Sequence, residues 1–189
     1  MTAAAFDAAF RIVVGEEGGY DDDPRDAGNY TGGAVGAGEL RGTKYGISAA
    51  AFPTLDIAAL TLADAQAIYR RDYWDRIAGD ALPDPLALIV FDCAVNQGVF
   101  KAATMLQSAV RVTQDGDIGP MTLAAVASAD VLDTLAQVAW LRDCSYRQDA
   151  GWATYGHGWI KRLATVTALS LVYTQDAVLA RWLPHGGVA

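Results

Sequence analysis

The chain has 189 residues, 52% of them hydrophobic and 19% charged, with 22 acidic against 14 basic side chains and a net charge of −8. That length suits one globular body with a sizeable core, and the hydrophobic fraction excludes a disordered chain. The acidic balance excludes nucleic acid, whose binding depends on lysine and arginine neutralising phosphates, and offers no attraction toward an anionic wall. A ligand must then be held by the shape of a cleft, hydrogen bonds and stacking on aromatics.

From the N-terminus, residues 2–17 place Phe6, Phe10 and Val13 at i, i+4 and i+7, the apolar stripe of a helix. At about 100° per residue the stripe runs on through Glu17, with Glu16 on its flank. Desolvation on such a stripe penalises a charged carboxylate and raises its pKa, which suits a general acid working near neutral pH. Gly18 and Gly19 then stop the helix, and Tyr20 opens a polar loop carrying Asp21, Asp22, Asp23 and Asp26. A solvated carboxylate from this loop beside a protonated one forms the pair used in glycoside hydrolysis. The plainer reading of the same residues is a solvated helix end followed by a polar loop, and composition by itself leaves both open.

Asp7 and Arg11 interrupt the first 14 residues, which lack the basic start of a signal peptide, and no apolar run reaches the ~20 residues that span a bilayer. The expectation is synthesis in the cytoplasm without a signal peptide or integral membrane segment. Another factor would then carry the chain to any target outside the membrane.

Further along, residues 20–46 are expected to form a loop with a small hairpin, and Ser48 to Pro53 a short helical turn. Thr61 to Ile77 reads as a helix, opened by Thr61 and Asp64 as a capping pair, with Leu62, Ala65, Ile68, Tyr69 and Tyr73 on its apolar face. Tyr73 and Trp74 are assigned to the core. Pro85 suits the first turn of the next helix, Leu86 to Gln97, which is apolar around most of its surface until Asp92, Asn96 and Gln97 and therefore belongs in the interior. Asp92 and Asn96 lie one turn apart on one face, positioned to hydrogen-bond each other or something in a cleft.

Asp115-Gly116 makes a turn, and Gly119-Pro120 starts a helix. Residues 130–152 and 158–183 form two long helical patterns separated by GWATYGHGW. Trp140, Trp152, Trp159 and Trp182 are assigned to core and helix packing, because no one-sided spacing links them. Cys93 and Cys144 read as free buried thiols. With only His157 and His185 in the chain, neither at metal-ligand spacing with a cysteine, no metal and no cofactor are expected.

Reading on from Glu17, EGGY is followed by D-P-x-D-x-G-N-Y-T and, past a glycine-rich insert, by GTKYGI at Gly42 to Ile47. This pattern resembles the N-acetylmuramidase family known as glycoside hydrolase family 108, found in phage endolysins. The interval from Glu17 to Asp26 is similar to the Glu-x8-Asp of phage-type lysozymes. FDCAVNQG, the A-x-x-x-LQ of Ala102 to Gln107, DGDIGPMTLAAV at Asp115 to Val126 and GWIKRL at Gly158 to Leu163 resemble the peptidoglycan-binding segment that follows the family's catalytic part.

The resemblance implies a mainly α, lysozyme-like compact helical domain with a small loop and β-hairpin region at the active-site cleft. Residues 1–95 would be the muramidase segment and 96–189 a peptidoglycan-binding helical segment in the same globular body. It implies hydrolysis of the β-1,4 bond between N-acetylmuramic acid and N-acetylglucosamine by a monomer acting on peptidoglycan glycan strands in the periplasm. Glu17 would be the general acid, Asp26 its assistant and Thr43 the active-site threonine, with Tyr20, Tyr45, Asp92, Asn96 and Gln97 binding substrate. Because residues 29–42 are inserted, Thr31 stands at nearly the uninterrupted spacing, and the threonine is open between the two. A non-catalytic peptidoglycan-binding or localisation protein with the same fold is the alternative; Glu17, Asp26 and a threonine before Gly46 favour the enzyme. A lytic transglycosylase, which needs the glutamate but no second carboxylate, is a third reading.

Overall fold

The computed structural model describes residues 3–15 and 19–182, with side chains described over 5–15 and 19–172. The described chain is mainly helical: α1 (Ala3–Val13), α2 (Leu62–Tyr69), α3 (Asp84–Gln97), α4 (Val99–Ala109), α5 (Pro120–Ser128), α6 (Val131–Arg147) and α7 (Trp152–Trp182), with one antiparallel pair, β1 (Thr43–Lys44) and β2 (Ile47–Ser48). Two compact units emerge, one formed by Met1–Ala9 with Tyr73–Ala189 and the other by Phe10–Asp72. No single described helix is long and apolar enough to cross a membrane. The division at 95/96 falls within α3.

The larger unit is built around α3, which is buried from Pro85 to Ala94 and packed by α4, α6 and α7. Burial on all sides is what its nearly continuous apolar sequence requires. Pro85 occupies the first turn, where its missing N–H leaves no hydrogen bond unmade. Phe6, Trp74 and Phe91 meet edge to face at centroid distances of 5.5 to 6.0 Å, a geometry that aligns ring edges with ring faces.

In the smaller unit, Phe10 packs edge to face on Tyr69 at 5.6 Å, and Ile47, Ile57, Leu60, Ala65 and Ile68 are buried. Strands β1 and β2 are joined by Tyr45 and Gly46, both left-handed at φ 51° and 73°. Two successive positive φ values match the right-handed twist of a two-residue hairpin, and Gly is the residue that adopts one without strain. At Gly46 a side chain is excluded for a second reason, since a Cβ would sit 2.6 Å from the Tyr69 hydroxyl.

Four sequence expectations are corrected. The first helix ends at Val13 instead of residue 17, because Gly15 turns left-handed at φ 83° and its N–H reaches back to Phe10 O. Glu16, Glu17 and Gly18 lie outside the described residues.

The helix expected over 61–77 is α-helical only to Tyr69. Its start is as expected, with Thr61 N–H donating to Asp64 Oδ2 at 2.9 Å and Asp64 N–H to Thr61 Oγ1 at 3.2 Å. Beyond Tyr69 the backbone widens into a π turn over Arg70–Trp74 and tightens into a 3-10 turn over Asp75–Ile77. Such a change of winding rotates the following side chains relative to an α-helix. Trp74 ends buried with its indole N–H on Asp80 at 2.9 Å, while Tyr73 is half-buried.

GWATYGHGW is not a break, since α7 begins at Trp152 and runs through it. Trp159 stacks on Tyr146 of α6 at 5.3 Å and lies 5.9 Å from Tyr155, contacts that outweigh the low helix propensity of the glycines. Finally, Trp140 is not a core residue but 57% exposed, and Trp152 and Trp159 are half-buried. The side chain of Trp182 lies outside the described residues.

Candidate active site

In the smaller unit the acidic loop is held by Asn29, a residue that the sequence reading passed over as part of a motif. Its side chain is fully buried and donates to Asp21 Oδ2 at 3.3 Å and to Asp23 O at 3.1 Å, while the backbone carbonyl of Asn29 accepts the N–H groups of Arg41 and Gly42 at 2.9 and 3.0 Å. Asp21 and Thr43 exchange backbone hydrogen bonds at 2.9 and 2.7 Å, and Ala50 N–H donates to Gly28 O at 3.0 Å. Loop and hairpin therefore form one framework, with the acidic residues at its surface.

The four aspartates are not equivalent. Asp23 is gripped by the Arg25 guanidinium at 2.7 Å and by its backbone N–H, which hold its carboxyl below the ordinary carboxylate value. Asp21 accepts from Asn29 and from Asp23 N–H. Asp26 caps the short 3-10 turn Ala27–Asn29, taking Gly28 N–H on Oδ1 at 2.8 Å, and is exposed. Its Oδ2 has no protein partner among the described residues. Asp22 is exposed on the loop.

The two candidate threonines also separate. Thr31 closes the insert on itself: its Oγ1 accepts Glu39 N–H at 2.9 Å and its own N–H donates to Glu39 O. Thr43, half-buried on β1 beside Asp21, leaves its hydroxyl without a protein partner among the described residues.

Tyr20 is 43% exposed, its ring seated against Gly42, where a Cβ would come within 2.5 Å of it. With Leu40, Arg41, Thr54, Asp56, Ile57 and Ala58 it lines a groove of about 370 Å³. Tyr45 sits at the hairpin turn, its carbonyl accepting the Tyr69 hydroxyl at 3.1 Å and its ring 5.6 Å from the Lys44 ammonium. Tyr20, Asp26, Thr43 and Tyr45 thus belong to one framework.

The other three expected binding residues lie on α3 in the larger unit, and each is engaged there. Asp92 Oδ2 accepts Arg142 Nη2 at 2.6 Å and Oδ1 accepts Arg162 at 2.7 to 2.8 Å. The Asn96 side chain donates to Asp92 O at 2.7 Å, so the pair does bond within itself. Gln97 donates to Ser145 Oγ at 3.1 Å and accepts from Arg142 Nε at 3.4 Å. Burial places the Cys93 thiol, also beside Gln97, up at about 11. Cys93 and Cys144 are both free. No cluster of three or more His, Cys, Asp and Glu groups able to hold a metal ion occurs among the described residues.

The chain belongs to the glycosyl hydrolase 108 family, whose model matches residues 10–98. It is also similar to the solved structure of Brucella abortus SagA, at 31% identity over 94% of this chain and 99% of that one, with a TM-score of 0.77. No curated protein matches the chain. Membership makes glycoside hydrolysis, of the peptidoglycan-hydrolase type, the class of activity.

Proposed function

We propose that this protein is an N-acetylmuramidase, cleaving the β-1,4 bond between N-acetylmuramic acid and N-acetylglucosamine in peptidoglycan. In this reading Glu17 protonates the leaving oxygen. Asp26, exposed on the loop, activates water or stabilises the oxocarbenium-like transition state, and Thr43 supplies a hydroxyl beside the reacting centre. Tyr20 and Tyr45 contact sugar rings. The protein works as a monomer on glycan strands in the periplasm, delivered there by another factor.

The observation that carries the reading is the state of Asp26. Among the described loop carboxylates it is the one fixed in place through one oxygen by a backbone N–H, with no partner among the described residues on the other oxygen, and the residue is exposed. A catalytic carboxylate needs both properties, a set position and an available oxygen. The Thr43 hydroxyl, without a protein partner among the described residues, favours it over Thr31, whose hydroxyl accepts Glu39 N–H.

The test is digestion of purified peptidoglycan with mass analysis of the soluble products. New reducing-end N-acetylmuramic acid is the expected result, lost in Glu17→Gln with folding intact. Reducing-end N-acetylglucosamine, or 1,6-anhydro products, would refute the bond assignment. Wall binding without any soluble product would point to the non-catalytic reading.

A further inference from the structure

The inserted residues 29–42 close on themselves and then supply one wall of the groove of about 370 Å³ that Tyr20 lines. Thr31 N–H donates to Glu39 O at 2.9 Å, Gly32 N–H donates to Ala37 O at 3.0 Å, and Tyr30 and Leu40 pair in an antiparallel bridge. This ladder carries Leu40 and Arg41 on its returning side, and both line the groove with Thr54, Asp56 and Ile57. Leu40 and Ile57 give it apolar surface, and the Tyr20 ring is open to a ligand at 43% exposure.

The chain has a net charge of −8, yet two cations meet at this groove. Arg41 holds Glu39 through Nε and Nη2 at 2.7 and 2.5 Å and reaches Pro53 O through Nη1 at 3.4 Å. Two of the five guanidinium N–H groups are left without a partner among the described residues. Lys44 Nζ donates to Ala58 O at 3.0 Å, so its ammonium stands at the groove's edge with further N–H groups to offer. Asp56 takes Ala59 N–H on Oδ1 at 3.2 Å, and its Oδ2 has no partner among the described residues. The Tyr20 and Thr54 hydroxyls have none there either. A ligand that matches these groups carries carboxylates and an amine on a short, partly apolar chain, since guanidinium and ammonium groups select carboxylates and a carboxylate selects an ammonium.

We propose that this groove holds the stem peptide of peptidoglycan, Arg41 and Lys44 taking its carboxylates and Asp56 its free amine, and thereby sets a preference for peptide-bearing strands over bare glycan. The stem peptide has this charge pattern, because its γ-linked glutamate and its diamino acid keep free carboxylates and the diamino acid keeps an amine until it is cross-linked. It hangs from the lactyl group of N-acetylmuramic acid, the sugar whose bond is cut in the proposed function, so it must leave the glycan beside the reacting centre. Arg41 and Lys44 flank Thr43 along the chain, which puts the two cations next to that centre. The choice of ligand rests on the proposed function.

The experiment titrates full-length Glu17→Gln protein with N-acetyl-L-alanyl-γ-D-glutamyl-meso-diaminopimelate, whose blocked N-terminus imitates the link to the lactyl group. The Tyr20 ring signals, assigned through Tyr20→Phe, are followed by NMR and are expected to shift saturably. Arg41→Gln and Lys44→Gln should each weaken the binding roughly tenfold, the size of one charge-assisted hydrogen bond. Asp56→Asn should weaken it for this peptide but not for the same peptide acetylated on its remaining amine. In the active protein, kcat/KM for peptide-bearing strands should exceed that for strands stripped of peptide. Lys44→Gln, which breaks one hydrogen bond to a backbone carbonyl and spares the fold, should lower that ratio. Tyr20 signals that stay still at millimolar peptide overturn the proposal, as does binding unchanged in both Arg41→Gln and Lys44→Gln, or an equal shift from uncharged N-acetylglucosamine oligomers. Equal cleavage of the two kinds of strand overturns it as well. If the wild-type protein cuts neither strand, or leaves a reducing end other than N-acetylmuramic acid, the proposed function fails while the titration still decides the groove.

Discussion

Asp92 on α3 and Arg142 on α6 meet at 2.6 Å with both side chains almost wholly out of water, 2% and 0% exposed. Arg162 of α7 takes the other carboxylate oxygen at 2.7 Å, and Tyr146 accepts from Arg142 at 2.9 Å. One aspartate thus joins three helices through charge-assisted hydrogen bonds, which are stronger than neutral ones. Removing it leaves a guanidinium buried without its counter-ion. Asp92→Ala is expected to lose roughly 3 to 5 kcal/mol of stability in denaturant unfolding. An Asp92→Ala protein with unchanged stability and weakened glycan affinity would return Asp92 to a binding role.

For Asp26 the substitution to asparagine separates charge from capping, since Asn accepts a backbone N–H at an N-cap about as well as Asp. Asp26→Asn is therefore expected to melt within a degree or two of the parent and to lose most of its activity on peptidoglycan, in turnover more than in affinity. Asp22→Asn should leave activity largely intact. Equal losses from both would show that the loop acts through its summed charge.

Tyr45 holds a left-handed conformation that disfavours a residue with a Cβ, at roughly 1 kcal/mol. Asn-Gly is the preferred pair for this two-residue turn. Tyr45→Asn should raise the melting temperature by a few degrees and reduce activity on the wall, the pattern of a residue kept for binding at the expense of stability. A variant that is more stable and fully active would remove Tyr45 from the site.

The Cys93 thiol, raised by burial to about 11, stays protonated at pH 8, and the protein should therefore alkylate at Cys144 well before Cys93. The sign for stability follows from the same shift. A thiol whose folded pKa lies above its ordinary value near 9.0 contributes fully below that value and loses its contribution as pH rises toward 11. Cys93→Ala should accordingly flatten the fall in melting temperature between about pH 9 and pH 11, as followed by thermal melts across that range. An equal alkaline slope in both proteins would show that another group controls it.

Local chemistry was legible in the chain itself. The Thr61/Asp64 capping box, Pro85 in a first helical turn, the buried run of α3 and the hairpin near GTKYGI each depend on residues within a few positions of one another. The family pattern from Asp21 to Ile47 was legible for the same reason, being a run of turns whose backbone is set by glycines and short polar side chains. Even there, the reading let the first helix pass Gly15, because apolar periodicity continues in sequence after a left-handed residue has ended it in space.

The tertiary structure alone decided which faces are covered and which polar groups are paired. Sequence showed that Asp92 needs partners but not that they stand 50 and 70 residues away on two other helices. Likewise it assigned both Trp74 and Trp140 to the core, whereas packing buries Trp74 and leaves Trp140 in solvent. Motif favours Thr43 and uninterrupted spacing Thr31, and the sequence does not show that the Thr31 hydroxyl accepts Glu39 N–H while that of Thr43 has no protein partner among the described residues. Periodicity reports what a residue does for its own helix or strand, whereas burial and pairing depend on neighbours brought together only when the elements pack.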